Sequence, residues 1–125
     1  MKIRIILLGI CLIIAWHSNT AMGADAQIYF DRGNSFYNEG DFDKAIADYT
    51  KAISIDPKYA EAYYNRGQAY YKKEKYEEAI KDYTKGVELQ PKDAEIYHRR
   101  GLAYFNRGQY NNAIEDATKA ISLNP

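Results

Sequence analysis

The chain has 125 residues, 46% of them hydrophobic and 27% charged, with 17 basic and 17 acidic side chains in formal balance. That profile excludes a wholly disordered chain and a multi-span membrane protein. The length allows one domain, whose core of about 100 residues buries roughly two-thirds of the surface its unfolded chain exposes. Tyrosine is over-used: 13 Tyr stand beside a single Trp and a single Cys.

Residues 1–23 read as a secretory signal peptide. Lys2 and Arg4 form a positive n-region, Ile5 to Trp16 make an apolar run, and Ala21, Gly23, Ala24 and Ala26 are small residues at which a signal peptidase cuts. As a helix that run spans about 18 Å against a hydrocarbon core of about 30 Å, too short for a membrane anchor. Cleavage is expected between Gly23 and Ala26, and a cut after Gly23 leaves the first helix whole. Ile10, not a small residue, precedes Cys11, which argues against lipid attachment.

Cleavage removes Cys11 and Trp16, so the mature chain has no cysteine with which to form a disulfide. It also removes two of the 17 basic residues and none of the 17 acidic ones, leaving a charge of about minus two. No basic excess remains to attract nucleic acid or anionic lipid. The expected location is periplasmic or secreted, without membrane attachment after cleavage.

The remainder repeats with a period of 34. Gly33, Gly67 and Gly101 keep that spacing, as do Tyr29, Tyr63 and Tyr97, Ala45, Ala79 and Ala113, and Pro57, Pro91 and Pro125. The units are 26–59, 60–93 and 94–125. Apolar spacing within each is helical with a break in the middle, so each unit is a helical hairpin. Gly40 and Gly108 mark the turns of the outer units, Asp41 is placed to cap the helix that follows, and Asp56-Pro57 and Gln90-Pro91 end units. In the second unit Glu74 stands where the turn glycine is expected. Glycines on the first helix are expected to face small residues on the second, bringing the axes together while tyrosines fill the surroundings. Recurring Arg32, Arg66 and Arg100 are expected to pair with Asp48, Asp82 and Asp116.

These motifs resemble the tetratricopeptide repeat (TPR). The pattern of aromatic, Gly, aromatic, Ala, aromatic and Pro appears as Tyr29, Gly33, Phe36, Ala45, Tyr49 and Pro57, and again as Tyr63, Gly67, Tyr70, Ala79, Tyr83 and Pro91. The third copy departs at Ala117, and Arg replaces the usual Leu before each glycine. The resemblance covers residues 26–125 and implies an all-α solenoid of three hairpins, wound as a right-handed superhelix whose first helices line a concave groove.

In this sequence the groove would display Phe30, Asn34 and Tyr37, then Tyr64, Asn65, Gln68 and Tyr71, then His98, Arg99, Leu102 and Phe105. Aromatic rings and amides suit an extended peptide: the amides meet its backbone and the rings cover its apolar side chains. Tyr29, Tyr63, Tyr97, Phe36, Tyr70 and Tyr104 are assigned to packing instead. Some relatives grip a terminal carboxylate with two lysines, two asparagines and an arginine. Asn34, Asn65 and Arg99 hold matching positions, but Phe30 and Glu95 replace the lysines, so an acidic C-terminus is not the expected ligand.

An enzyme is not expected. After cleavage His98 is the lone histidine, and no phosphate loop or metal-ligand spacing is present, so no cofactor or metal is anticipated. The expected function is a protein-protein interaction module, an adaptor or scaffold in the cell envelope with a protein or peptide partner. The alternative is self-association. Repeat arrays end in a polar cap, whereas the third unit is followed by no capping helix, leaving Ala117 and Ile121 to be covered by a second chain or by further repeats.

Overall fold

A computed structural model describes residues 21–125. They form six helices and, among the described residues, no strand: α1 over 21–38, α2 Phe42–Ile55, α3 Ala60–Lys72, α4 Tyr76–Leu89, α5 Ala94–Asn106 and α6 Tyr110–Leu123. The helices pack on their neighbours in the chain, α2 on α3, α3 on α4, α4 on α5 and α5 on α6, which is the arrangement of an α-solenoid. Residues 1–20, which carry most of the signal-peptide expectation, lie outside the described residues. Helix α1 already runs from 21, ahead of the expected start at 26. None of the described helices is long and apolar enough to cross a membrane.

The three hairpin turns share one geometry. Gly40, Glu74 and Gly108 sit at φ of +80°, +59° and +83°. At each, two amides reach back to the preceding helix: Gly40 N–H donates to the Tyr37 carbonyl and Asp41 N–H to that of Phe36, with Glu74 and Lys75, and Gly108 and Gln109, repeating the pattern. This is a Schellman closure, which needs a left-handed residue at its second-last position. Asp41 caps α2 by accepting from Lys44 N–H. Asp93 does the same for α5 through Glu95 N–H, a cap the sequence reading did not assign. Between hairpins, Tyr63 and Tyr97 donate their hydroxyls to the carbonyls of Pro57 and Pro91, pinning the turns that the prolines create.

The expected arginine–aspartate pairs are all present and bidentate, with N–O distances of 2.6 and 2.7 Å for Arg32–Asp48 and of 2.7 and 2.8 Å for Arg66–Asp82 and for Arg100–Asp116. Each arginine also lies over its neighbouring tyrosine ring, Tyr29, Tyr63 or Tyr97. Those tyrosines, with Phe36, Tyr70 and Tyr104, are therefore half-buried under guanidinium or at the edge of the core. The fully buried rings are Tyr49 and Tyr83. They also correct the expected helix contact. Gly33 and Gly67 face these rings and not small residues, for a Cβ on either would meet ring carbons at 2.8 and 2.9 Å. Where the ring is missing, at Ala117, Gly101 does face small residues as expected, with the Ala113 carbonyl oxygen at 3.4 Å and the Ala117 nitrogen at 3.7 Å, beside the Asp116 Cβ at 3.3 Å.

Candidate peptide groove

Three first helices, α1, α3 and α5, present one continuous set of side chains, and hydrogen bonds cross between repeats along it. Asn34 is the first junction: its Oδ1 accepts from the Tyr49 hydroxyl and from Asn65 Nδ2, both at 2.8 Å. Burial pushes the Tyr49 phenol up to about 12, so it stays a donor at neutral pH. Glu95 is the second junction, accepting from Arg99 Nε at 2.6 Å and from the Tyr64 hydroxyl at 3.3 Å. That bond to Glu95 holds the Arg99 guanidinium above its ordinary value. Burial likewise raises the Tyr64 and Tyr37 phenols, with Arg99 pulling both the other way.

Between these junctions opens a pocket of about 310 Å3, lined by Tyr37, Gln68, Tyr71, Lys72, Tyr83 and Arg99. The hairpin turns hold its rings. Tyr37 packs edge-on against Phe42, and Tyr71 against Tyr76, with centroids 5.3 Å apart in each case. Asn106 donates to the Tyr71 hydroxyl at 2.7 Å, tying the third repeat to the second. The pocket thus offers ring faces, the Gln68 amide, and two cations at its margin. It can cover an apolar or acidic side chain and hydrogen-bond a peptide backbone.

Of the eleven residues predicted for the groove, Tyr37, Gln68, Tyr71 and Arg99 meet in this pocket. Asn34, Asn65 and Tyr64 lie along the same face, already bonded to protein partners. Phe30 is half-buried, its ring 4.8 Å from that of Tyr59. His98, Leu102 and Phe105 are not part of it. They line a separate apolar pocket of about 350 Å3 with Tyr110, Ile114 and Ala117. Sequence reasoning omitted Tyr83 because a ring at that register reads as core, and it is both core and pocket wall. It named the uncovered apolar surface at Ala117 and Ile121 but did not place His98, Leu102 and Phe105 beside Ala117 in one pocket. Among the described residues no cluster of His, Cys, Asp and Glu is arranged to hold a metal ion.

The family follows from these repeats. The profile described as TPR repeat matches residues 33–74 and 67–108, and that described as tetratricopeptide repeat matches residues 94–125. The chain belongs to the tetratricopeptide repeat family. Among solved structures it is similar to the second TPR of Spaghetti (RPAP3) bound to the HSP90 peptide SRMEEVD. The identity is 38% and the TM-score 0.78, over 81% of this chain and 94% of that one. The second TPR domain of human RPAP3, in complex with the HSP70 peptide SGPTIEEVD, is 36% identical with a TM-score of 0.77, over 85% and 86% of the two chains. The N-terminal domain of stress-induced protein-1 from C. elegans is 29% identical with a TM-score of 0.78, over 83% and 87%. No curated protein matches the chain.

Proposed function

We propose that the chain is a peptide-binding interaction module whose groove takes an internal, extended segment of another protein, not a free acidic C-terminus. The observation that carries this reading is the pocket formed by Tyr37, Gln68, Tyr71 and Arg99, which draws on all three repeats and joins ring faces to an amide. The peptide complexes of the RPAP3 domains support peptide binding as the use of such a face. The ligand differs because the two positions where lysines would grip a carboxylate hold Phe30 and Glu95, and Glu95 is engaged with Arg99. Ring faces, an amide and the Lys72 and Arg99 cations suit this site to binding.

Peptides selected from a random library against the full chain test this, titrated against wild type and a Gln68→Ala, Tyr71→Ala variant. At least a tenfold loss is expected, about 1.4 kcal/mol, and amidating the peptide's C-terminus should leave wild-type affinity unchanged. Equal binding by both proteins would remove the groove from the function.

We further infer an adaptor or scaffold role in the cell envelope from the signal-like order of Lys2, Arg4, the apolar run and the small residues to Ala26. Intact-mass analysis of the envelope fraction should find a chain that begins at Ala24. Recovery of the uncut chain from the cytosol would refute that location.

A further inference from the structure

The chain makes the same joint between hairpins twice. In the first, Arg66 on α3 donates to Thr50 on α2 at 3.0 Å; in the second, Arg100 on α5 donates to Thr84 on α4 at 3.2 Å. Residue 34 positions from Ala62 and 68 from Ile96, Ile28 occupies the register that goes to the core in both joints, where Ala62 is inaccessible and Ile96 is 2% exposed. In α1, however, Ile28 is 62% exposed. On the opposite end of the solenoid, Ile121 and Ile114 occupy the registers of Val87 and Ile80. Those two are buried beneath the third repeat, whereas Ile121 is 66% exposed and Ile114 is exposed too.

We propose that the exposed face of α1 docks on the exposed face of α5 and α6 of a second copy, head to tail, repeating between molecules the joint made twice within each. Both halves are complete. Arg32 continues the arginine series and Thr118 the threonine series, so Arg32 of one copy meets Thr118 of the other, as Arg66 meets Thr50 and Arg100 meets Thr84. The Arg32 side chain is 56% exposed against 17% for Arg66 and 15% for Arg100, the difference expected of an arginine whose inter-repeat partner is absent.

Steric fit favours the same pairing. Ile96 packs against Gly86 so closely that a Cβ there would meet Cγ2 at 3.2 Å. The register of Gly86 in the third repeat holds Ala120, so Ile28 of a second copy needs extra room. One turn away on α6, Ala117 lacks the ring that Tyr49 and Tyr83 carry at its register and lines an apolar pocket of about 350 Å3 toward which α1 of the second copy can shift. At the rim, Lys73 pairs with Asp43 and Arg107 with Glu77 across the internal joints. The corresponding residues between copies are Glu39 and Asn111, an amide facing a carboxylate with no like charges opposed. The union is heterologous, so it propagates beyond a dimer.

Sedimentation of the full chain across a wide concentration range tests the proposal, with Ile28→Asp blocking one face and Ile121→Asp the other. Wild type should grow past dimer with concentration, and each variant alone should remain monomeric. An equimolar mixture of the two, which retains one intact face on each, should stop at a dimer. Thr118→Arg, which opposes a second guanidinium to Arg32 at an exposed position, should act as Ile121→Asp does, and helical circular dichroism verifies folding. Three results would each overturn the joint. The first is wild type monomeric at every concentration, its pocket covered by its own N-terminal segment or left for another protein. The second is growth unaffected by all three variants, and the third is a mixture that fails to dimerise.

Discussion

Gly67 lies against Tyr83 so closely that a methyl group on it would meet ring carbon Cε1 at 2.9 Å and the Asp82 Cβ at 3.3 Å. Tyr83 is fully buried and is held on this side by the glycine's own helix. Gly67→Ala therefore sets a gain in helix propensity of about 1 kcal/mol against overpacking of about 1–3 kcal/mol. The variant should be less stable by up to about 2 kcal/mol in urea unfolding. In a Tyr83→Ala background the ring is gone, and the same substitution should cost at least about 1 kcal/mol less. Strict additivity of the two changes would mean that the ring is not what excludes a side chain at position 67.

Glu74 holds the left-handed turn that Gly40 and Gly108 hold in the other repeats. A residue with a Cβ pays about 1–2 kcal/mol for that conformation, partly offset by the greater freedom glycine loses on folding. Glu74→Gly should stabilise the protein by up to about 1 kcal/mol, seen as a higher urea midpoint at unchanged slope. Gly108→Glu should shift the midpoint in the opposite direction. A Glu74→Gly variant less stable than wild type would show that the glutamate makes a compensating interaction.

What the sequence revealed and what it concealed divide along one line. Features carried by the 34-residue period were readable: the helices, the turn strain at Glu74, and the pairing of Arg66 with Asp82, whose partners recur together in every copy. Features that depend on which neighbour wins a side chain were not. Tyr63 and Tyr83 look alike in a periodicity argument. The first lies half-buried beneath Arg66 and bonded to Pro57, while the second is sealed over Gly67. Seven of the eleven groove residues line two pockets, four in the first and three in the second, and the departure at Ala117, which lines the second, stood in plain view in the sequence. Comparing it with Tyr49 and Tyr83 as a missing volume, not merely a weaker motif match, would have located the second pocket. The Asn34–Asn65 bond has no such signal, because the two asparagines stand 31 residues apart, off the 34-residue period, and no recurring pair marks them as facing each other.

Alkaline pH should unfold the protein through its buried phenols. Tyr49 is raised from its ordinary value of 10 to about 12, and Tyr83 is raised further, both chiefly by burial. A phenol whose folded pKa exceeds its unfolded one contributes stability that is fully present below the unfolded value. That stability declines as pH rises from about 10 toward the folded pKa, because only the unfolded chain releases the proton freely. Tyrosinate absorbance should therefore show accessible phenols ionising first, then a cooperative step that coincides with loss of helical circular dichroism. Tyr83→Phe, which removes the more strongly raised phenol, should move that step to higher pH. A single smooth titration with helix retained would show that both phenols reach solvent without unfolding.

Positions 30 and 95 decide whether the groove can accept a free carboxylate. Asn34, Asn65 and Arg99 are in place, but Glu95 accepts from Arg99 and Tyr64, so a carboxylate arriving there meets another carboxylate. Phe30 contributes a ring against Tyr59 where a charge would be needed. Phe30→Lys with Glu95→Lys removes the repulsion, frees Arg99 and adds two cations. The double variant should bind SRMEEVD, the peptide held by the Spaghetti domain, at least tenfold more tightly than wild type, about 1.4 kcal/mol. Because the added attraction is between charges near the surface, the gain should shrink as salt is raised, and amidating the peptide's C-terminus should abolish it. If wild type already binds the free acid as well as the variant does, Glu95 turns away when ligand arrives, and the groove is a carboxylate site in spite of its lost lysines.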